Sequence, residues 1–305
     1  MARYFISRDC CPSCLSQDSR PIYSKRYADS DLLNYLIQFY GGRAEVSYID
    51  DADYILNECG QCRLIYQKHI PNDLLLQKLY DEWIDPEGSL NKAQEKQTSR
   101  VIMGNVQEML LMLQHFQRPP RQIKVLDFGM GWGYWCFLAQ GMGFEAYGAE
   151  LAETRIAHAQ SLGVKLFHWG NMPEGNFDFI NTEQVFEHLT SPLETLQHLR
   201  RGLSPTGIVK ISVPNGAHIK EKLKTKTWDI SPHKKKSELN AVAPLEHLNC
   251  FTHESLIKMA ASAGLRPASI SLKTYFNAQI GVIPRAALRR YWQRGTYLLF
   301  SPEDR

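Results

Sequence analysis

From residue 121 to 216 the chain alternates two kinds of apolar pattern. Short apolar runs ("IKVLDFG", "FEAYGAE", "VKLFHWG", "FDFINTE", "GIVKISVPN") read as strands. Between them, "YWCFLAQGMG", "ETRIAHAQSLG" and "PLETLQHLRRGLSP" repeat apolar residues at helical spacing, and "FDFINTEQVFEHL" reads as a strand running into a helix start. Strand and helix in alternation predict an α/β domain built on a parallel, doubly wound sheet with right-handed crossovers. This domain is expected over residues 121–275. A lysine-rich, poorly periodic stretch, "HIKEKLKTKTWDISPHKKKSE", interrupts it at about 217–245, where a lid would cross the pocket or a solvated loop would lie. Residues 71–120 read as a helical linker or cap: "PNDLLLQKLYDEW" has a Pro-Asn-Asp start, and the methionines of "TSRVIMGNVQEMLLMLQHF" suit core gaps. Residues 1–70 read as a small module of short strands and turns. Residues 276–305 read as a C-terminal extension, with "AALRRYWQRGTYLLF" packing against the sheet edge.

Charge changes this picture little. A net charge of +3 neither demands nor excludes nucleic acid. No apolar run is long enough to span a bilayer, and "MARYFISRDCCPSC" lacks the apolar core of a signal peptide, so a cytoplasmic location is expected.

The seven cysteines change it more, because they are clustered. Cys10, Cys11 and Cys14 open the chain, Cys59 and Cys62 follow, and Cys136 and Cys250 stand alone. In a reducing compartment such paired C-x-x-C spacing points to metal before disulfides. "CCPSC" and "ECGQC" resemble the two knuckles of a zinc ribbon, with Cys11, Cys14, Cys59 and Cys62 as ligands and Cys10 as an alternative to Cys11. Four thiolates would close a tetrahedral, structural Zn²⁺ site with no open position. The intervening residues would carry a helical insertion, "DLLNYLIQFYGG". The plainer reading is a set of reduced, buried cysteines.

The stretch "VLDFGMGWG" puts three glycines, Gly129, Gly131 and Gly133, between a strand and a helix. Ligands meet exposed backbone amides at such a junction, at the carboxyl ends of parallel strands. The spacing is G-x-G-x-G, not the dinucleotide G-x-G-x-x-G. Asp127 precedes the first glycine; a carboxylate there is awkward beside a pyrophosphate but suits a cationic amino-acid group. Glu150, after the next strand, can accept from both hydroxyls of a ribose. Amino acid plus ribose describes S-adenosylmethionine.

At these residues the chain resembles the class I S-adenosylmethionine-dependent methyltransferases. "VLDFGMGWG" is similar to their first motif, and "FDFINTEQVFEHLTSPLETLQHLRRGLSPTGIVKISVPN" to their fourth-to-fifth-strand segment. "LEHLNCFTHESLIKMAASAGL" resembles the later histidine-containing helix of the small-molecule and sugar branch, and the cysteine pairs add a pattern seen in its zinc-binding members. The resemblance implies a Rossmann-like, mostly parallel sheet of seven strands behind an N-terminal zinc-ribbon-like module. It also implies that Asn171 stands where an aspartate often holds the adenine amine (simple turn chemistry being the alternative), that Tyr80 covers the cofactor, and that the Glu246–His247 pair acts beside the substrate. His247 is then the expected general base, since an imidazole with an ordinary pKa of about 6.5 suits proton abstraction at neutral pH. Glu187–His188 is the second candidate pair, against a capping role at a helix start.

The chain departs from the family at two points. Met130 stands where a small residue is usual. Some relatives, among them small-RNA 2′-O-methyltransferases and ubiquinone-pathway O-methyltransferases, hold a divalent cation with E-x-x-E-H and a later histidine; here "QVFEH" has Gln184 in the first place, and Glu183 one position early. The expected activity is methyl transfer to a small molecule: a sugar, a glycan precursor or a specialised metabolite, with the basic lid suiting a phosphorylated or nucleotide-linked acceptor. The alternatives are an RNA-directed methyltransferase, against which the modest charge argues, and a binding protein that keeps the fold without catalysis.

Overall fold

The computed structural model of the chain describes residues 3–229, 237–278 and 296–303. The chain forms two compact units. One comprises Met1–Ser89, Phe186–Leu193 and Pro214–Met259; the other comprises Leu90–Val185, Glu194–Val213 and Ala260–Arg305.

The second unit contains a seven-stranded sheet among the described residues. Its strands are β1 Lys124–Phe128, β2 Glu145–Ala149, β3 Lys165–Leu166, β4 Phe177–Glu183, β5 Leu203–Ser212, β6 Leu265–Pro267 and β7 Tyr297–Pro302. They lie in the order β6-β7-β5-β4-β1-β2-β3. From β3 across to β5 all pairings are parallel, and β7 is antiparallel to both neighbours. The mostly parallel, doubly wound sheet expected from the alternation is therefore the one observed. β4 is buried from Phe177 through Thr182, as a central strand covered on both faces requires. The chain leaves β1 for β2 and β3 on one side and returns to β4 on the other. That reversal opens a crevice at the carboxyl ends of β1 and β4.

Helix Ser99–Phe116 packs on this sheet through Met109, Leu111 and Met112; its start is capped by the Thr98 hydroxyl, which accepts from Val101 N at 3.4 Å. Glu108, on the same buried face, is bonded to Lys210 Nζ at 2.9 Å in mid-β5, to Trp135 Nε1 at 3.1 Å and to the Tyr297 hydroxyl. A buried ion pair offsets its desolvation only when its remaining donors and acceptors are also used, and these partners do that.

The first unit contains a four-stranded antiparallel sheet in the order Asn249–Cys250, Ile65–Gln67, Asp53–Cys59, Ser19–Arg26. Strand Phe5–Ser7 pairs separately with His69–Pro71. The insertion expected between the cysteine pairs is helix Ser30–Phe39. Its buried residues, Leu32, Tyr35 and Leu36, join Tyr27, Tyr54, Trp83 and Trp228 in an aromatic-rich core.

Three local expectations differ from the structure. The helix start in "EQVFEHL" is a turn at Phe186–His188, because Asn249 and Arg8 take carbonyls that a helix would have bonded internally. Before residue 230 the lysine-rich stretch forms helix Ile219–Thr225, and Trp228, 4% exposed, donates through its indole to the Tyr23 hydroxyl at 2.9 Å; residues 230–236 lie outside the described residues. In "AALRRYWQRGTYLLF", residues up to 295 also lie outside them, while β7 is hydrogen-bonded inside the sheet between β5 and β6, not laid on its edge. Among the described residues no helix is long and apolar enough to cross a membrane.

Candidate functional site

The crevice of the second unit is built from β1, the glycine turn and the end of β2. Gly129 N and Met130 N both donate to Ala149 O, at 2.9 and 3.1 Å, which folds the turn back over β2. Gly133 opens helix Tyr134–Gly141 at φ 82°, and a Cβ there would come within 2.7 Å of Ala159 Cβ, so the position admits glycine alone. At Gly131, φ 54°, a Cβ would meet nothing within 4 Å, so this is the open side of the turn. Met130 is 6% exposed, and a Cβ on Gly148 would overlap its sulfur. The bulky departure from the family pattern is thus accommodated by a glycine in β2.

Asp127 is 4% exposed and its Oδ1 accepts from Asn181 Nδ2 at 2.7 Å. Burial pushes its carboxyl up to about 7, against the pull of the Asn181 hydrogen bond and the charge of Lys210. Glu150 closes the turn: Oε2 accepts from Gly131 N at 3.0 Å, and Oε1 accepts from Leu151 N at 2.8 Å and Ala152 N at 3.2 Å. An ionised carboxylate has about four acceptor positions; three are used here, and Arg155 Nη1 stands 3.8 Å from Oε2 beside the fourth. Asn171 is exposed on the 3₁₀ turn Trp169–Glu174 that follows β3. Tyr80, 39% exposed, belongs to the first unit, in the π-helical turn Leu79–Trp83.

In the first unit the cysteines converge. The sulfurs of Cys11, Cys14, Cys59 and Cys62 lie within 4.8 Å of one another, with Cys11–Cys62 and Cys14–Cys59 both at 3.5 Å. Cys10 is outside the group. The two knuckles repeat one geometry. Leu15 N donates to Cys11 O at 2.8 Å and Cys11 N to Ser16 O at 2.9 Å; Arg63 N donates to Cys59 O at 3.1 Å and Cys59 N to Leu64 O at 2.9 Å. Leu15 and Arg63, each following its second cysteine, both take a left-handed φ, 62° and 65°. With Zn–S bonds of about 2.3 Å a tetrahedron puts its sulfurs roughly 3.8 Å apart, a spacing these thiols bracket. Burial pushes the Cys14 thiol up to about 11, and its bond to Cys62 drives Cys11 well above the ordinary thiol range. The same bond holds the Cys62 thiol down, to about 5. Four thiolates this close would repel one another without a cation between them.

The two histidines, 59 positions apart in the chain, also meet in the first unit. Glu187, His188 and His247 each offer one ligand-type atom within 4.8 Å of the others. The imidazoles lie edge to face with centroids 4.9 Å apart, and His188 Nε2 is 3.9 Å from Glu187 Oε1. Glu187 is 1% exposed and His247 9%. Glu246 points elsewhere, accepting from the Tyr40 hydroxyl at 3.0 Å. Gln184 is bonded through its backbone N to Ser212 O at 2.7 Å, and Glu183 to Ser212 Oγ at 2.9 Å and Lys210 Nζ at 3.1 Å. Of the two pairs named from the sequence, the structure brings together Glu187, His188 and His247 and leaves Glu246 outside the group; Arg8, Gln67 and Asn249, whose hydrogen bonds hold the histidine segments, were not named from the sequence. Lys210 had left a signal, a charge inside the otherwise apolar "GIVKIS".

A protein-family profile described as a methyltransferase domain matches residues 95–270. A ubiquinone biosynthesis O-methyltransferase of Ruegeria pomeroyi is 27% identical over 150 residues, 44% of this chain; the match spans 59% of that relative's length. Among solved structures, the plantazolicin methyltransferase BpumL in complex with SAH is 16% identical, covers 75% of this chain and 94% of its own, and superposes with a TM-score of 0.51. The same enzyme with a monoazolic desmethylPZN analog and SAH gives 16% identity, the same coverage and the same score. At that identity the likeness shows the fold. The family profile, which spans more than half of the chain, shows more: together with the parallel sheet and the glycine turn between two acids, it establishes that this chain belongs to the class I S-adenosylmethionine-dependent methyltransferases.

Proposed function

We propose that this chain transfers a methyl group from S-adenosylmethionine to a small molecule of the sugar, glycan-precursor or specialised-metabolite kind. The observation that carries the acceptor side is the convergence of Glu187, His188 and His247. Methyl transfer forms a bond from the acceptor's nucleophilic atom to the methyl carbon as the carbon–sulfur bond breaks, and the bonding pair returns to sulfur. The sulfonium drives the step. What the protein adds is alignment and a place for the proton that the acceptor loses. His247 takes that proton, with Glu187 and His188 fixing and balancing its charge. A small acceptor is supported by the ubiquinone-pathway relative, and the donor by the SAH held in the structural neighbours.

On the donor side Asp127 faces the ammonium of the amino-acid moiety, Glu150 the ribose, the backbone at Gly129, Gly131 and Gly133 the space between, and Asn171 the adenine. A buried carboxyl held up to about 7 binds a cation only after it loses its proton. Affinity for S-adenosylhomocysteine is therefore expected to weaken as pH falls below about 7, by up to about tenfold per unit. Asp127→Asn should flatten that dependence. Calorimetric titration across the range checks it, and a wild-type affinity that does not change through neutrality would remove Asp127 from the ammonium.

Cys11, Cys14, Cys59 and Cys62 hold one structural zinc in this reading. Four thiolates leave no open position, so the ion organises the fold and touches no substrate.

The same cluster favours a second reading. One carboxylate and two imidazoles suit a divalent transition ion better than magnesium, which prefers oxygen ligands. Such an ion would supply Lewis acidity. Incubation of metabolite fractions with methyl-labelled S-adenosylmethionine identifies the acceptor; no label in any fraction overturns the proposed function. Repeating the active fraction after chelation separates the readings, since a histidine base survives the removal of a weakly held metal.

A further inference from the structure

The Glu187–His188–His247 cluster is carried on two segments, the turn at Phe186–His188 and the loop that runs into strand Asn249–Cys250, where Gln67 N also donates to Leu248 O at 2.9 Å. One side chain reaches both. Arg8 follows strand Phe5–Ser7, and its own N donates to Lys68 O at 2.9 Å. Its Nη2 donates to Leu189 O at 3.3 Å and Thr190 O at 3.1 Å, just after His188. Its Nη1 donates to Leu248 O at 3.3 Å and Asn249 Oδ1 at 2.9 Å, just after His247. Asn249 completes the tie: its N donates to Glu187 O at 3.0 Å, and its Nδ2 donates to Phe186 O at 3.0 Å and Leu189 O at 2.7 Å. From the other side Gln67 Nε2 donates to His247 O at 3.1 Å. Burial lowers the Arg8 guanidinium to about 10, so it stays charged at neutral pH. Among the described residues its donors go to carbonyl and amide oxygens, and no carboxylate pairs with it.

We propose that Arg8 is a positioning residue for this cluster: its guanidinium fork holds the two histidine-bearing segments in one arrangement. The chemistry of the fork is the reason arginine is needed. A guanidinium presents donors in a fixed plane on two nitrogens and can span two chain segments, whereas an ammonium is a point. This inference rests on the reading that the cluster serves the acceptor, but its test requires neither acceptor nor turnover.

The test is NMR on histidine-ring-labelled protein, with Arg8→Met, Arg8→Lys and Arg8→Gly beside the wild type. In Arg8→Met and Arg8→Lys the ring signals of His188 and His247 should move, while those of His158 and His198 in the other unit hold. Amide exchange within 186–190 and 247–249 should rise about tenfold or more. Affinity for S-adenosylhomocysteine should stay within about twofold. Free guanidinium, and not an alkylammonium of similar size, should restore the ring signals of Arg8→Gly. Wild-type ring signals in Arg8→Lys would overturn the proposal, because charge without the fork would then suffice. Changes spread evenly through both units would overturn it too, because Arg8 would then serve general stability. If the ring signals respond but no fraction accepts a methyl group, the proposed function fails and the positioning role stands.

Discussion

Cys59→Ala/Cys62→Ala should release about one zinc per chain and lower the thermal midpoint of the first unit by roughly 10–20 °C. The size follows from what the ion would do. A structural zinc site holds of order 10 kcal/mol of binding free energy in small metal-dependent folds. Here an aromatic core built on Tyr27, Tyr54 and Trp83 supports the same unit, so about half of that sum is expected to appear as lost stability, and roughly 2–4 °C accompanies each kcal/mol in a domain of this size. Both knuckles turn through a left-handed residue, Leu15 and Arg63, a conformation that costs about 1 kcal/mol for a residue with a Cβ. Without the ion that strain has less to hold it. Calorimetry with metal analysis on the same samples decides the matter: full zinc retention in the double variant would overturn the ligand set. Cys10→Ala should change neither quantity, since its sulfur lies outside the group.

The second large effect is expected at His247. His247→Ala should slow turnover about 10²–10⁴-fold while leaving S-adenosylhomocysteine affinity unchanged. The split matters. A loss confined to turnover, seen with saturating donor, belongs to the acceptor side; a matching loss of donor affinity would mean that the histidine supports the fold. Turnover at the wild-type rate with the true acceptor would exclude His247 as the base. Glu246→Gln is expected to be mild by comparison, because Glu246 is engaged with the Tyr40 hydroxyl and stands outside the cluster.

How far the sequence reached depended on the range of the interaction involved. The strands β1, β2, β4 and β5 were legible because a buried parallel strand must be apolar along its length, and helices such as Glu153–Ser161 because one face must be. β7 was not, since "TYLLF" follows a basic, aromatic stretch and nothing local says that it inserts between β5 and β6. The turn at Phe186–His188 was misread as a helix start for a related reason: its local pattern is helical, and what prevents a helix is Arg8 and Asn249, about 180 residues before and 60 after it.

By itself the sequence determined the fold class, the glycine turn with its two acids and the paired cysteine knuckles, because each is specified by neighbours a few positions apart through dihedral preference, periodicity or ligand spacing. Only the tertiary structure decided that Cys11 and not Cys10 joins the sulfur group, that Glu246 turns to Tyr40, and that Glu187 and His188 meet His247. Those outcomes depend on which distant segments the folded chain brings within hydrogen-bonding distance, and no spacing along a chain encodes that.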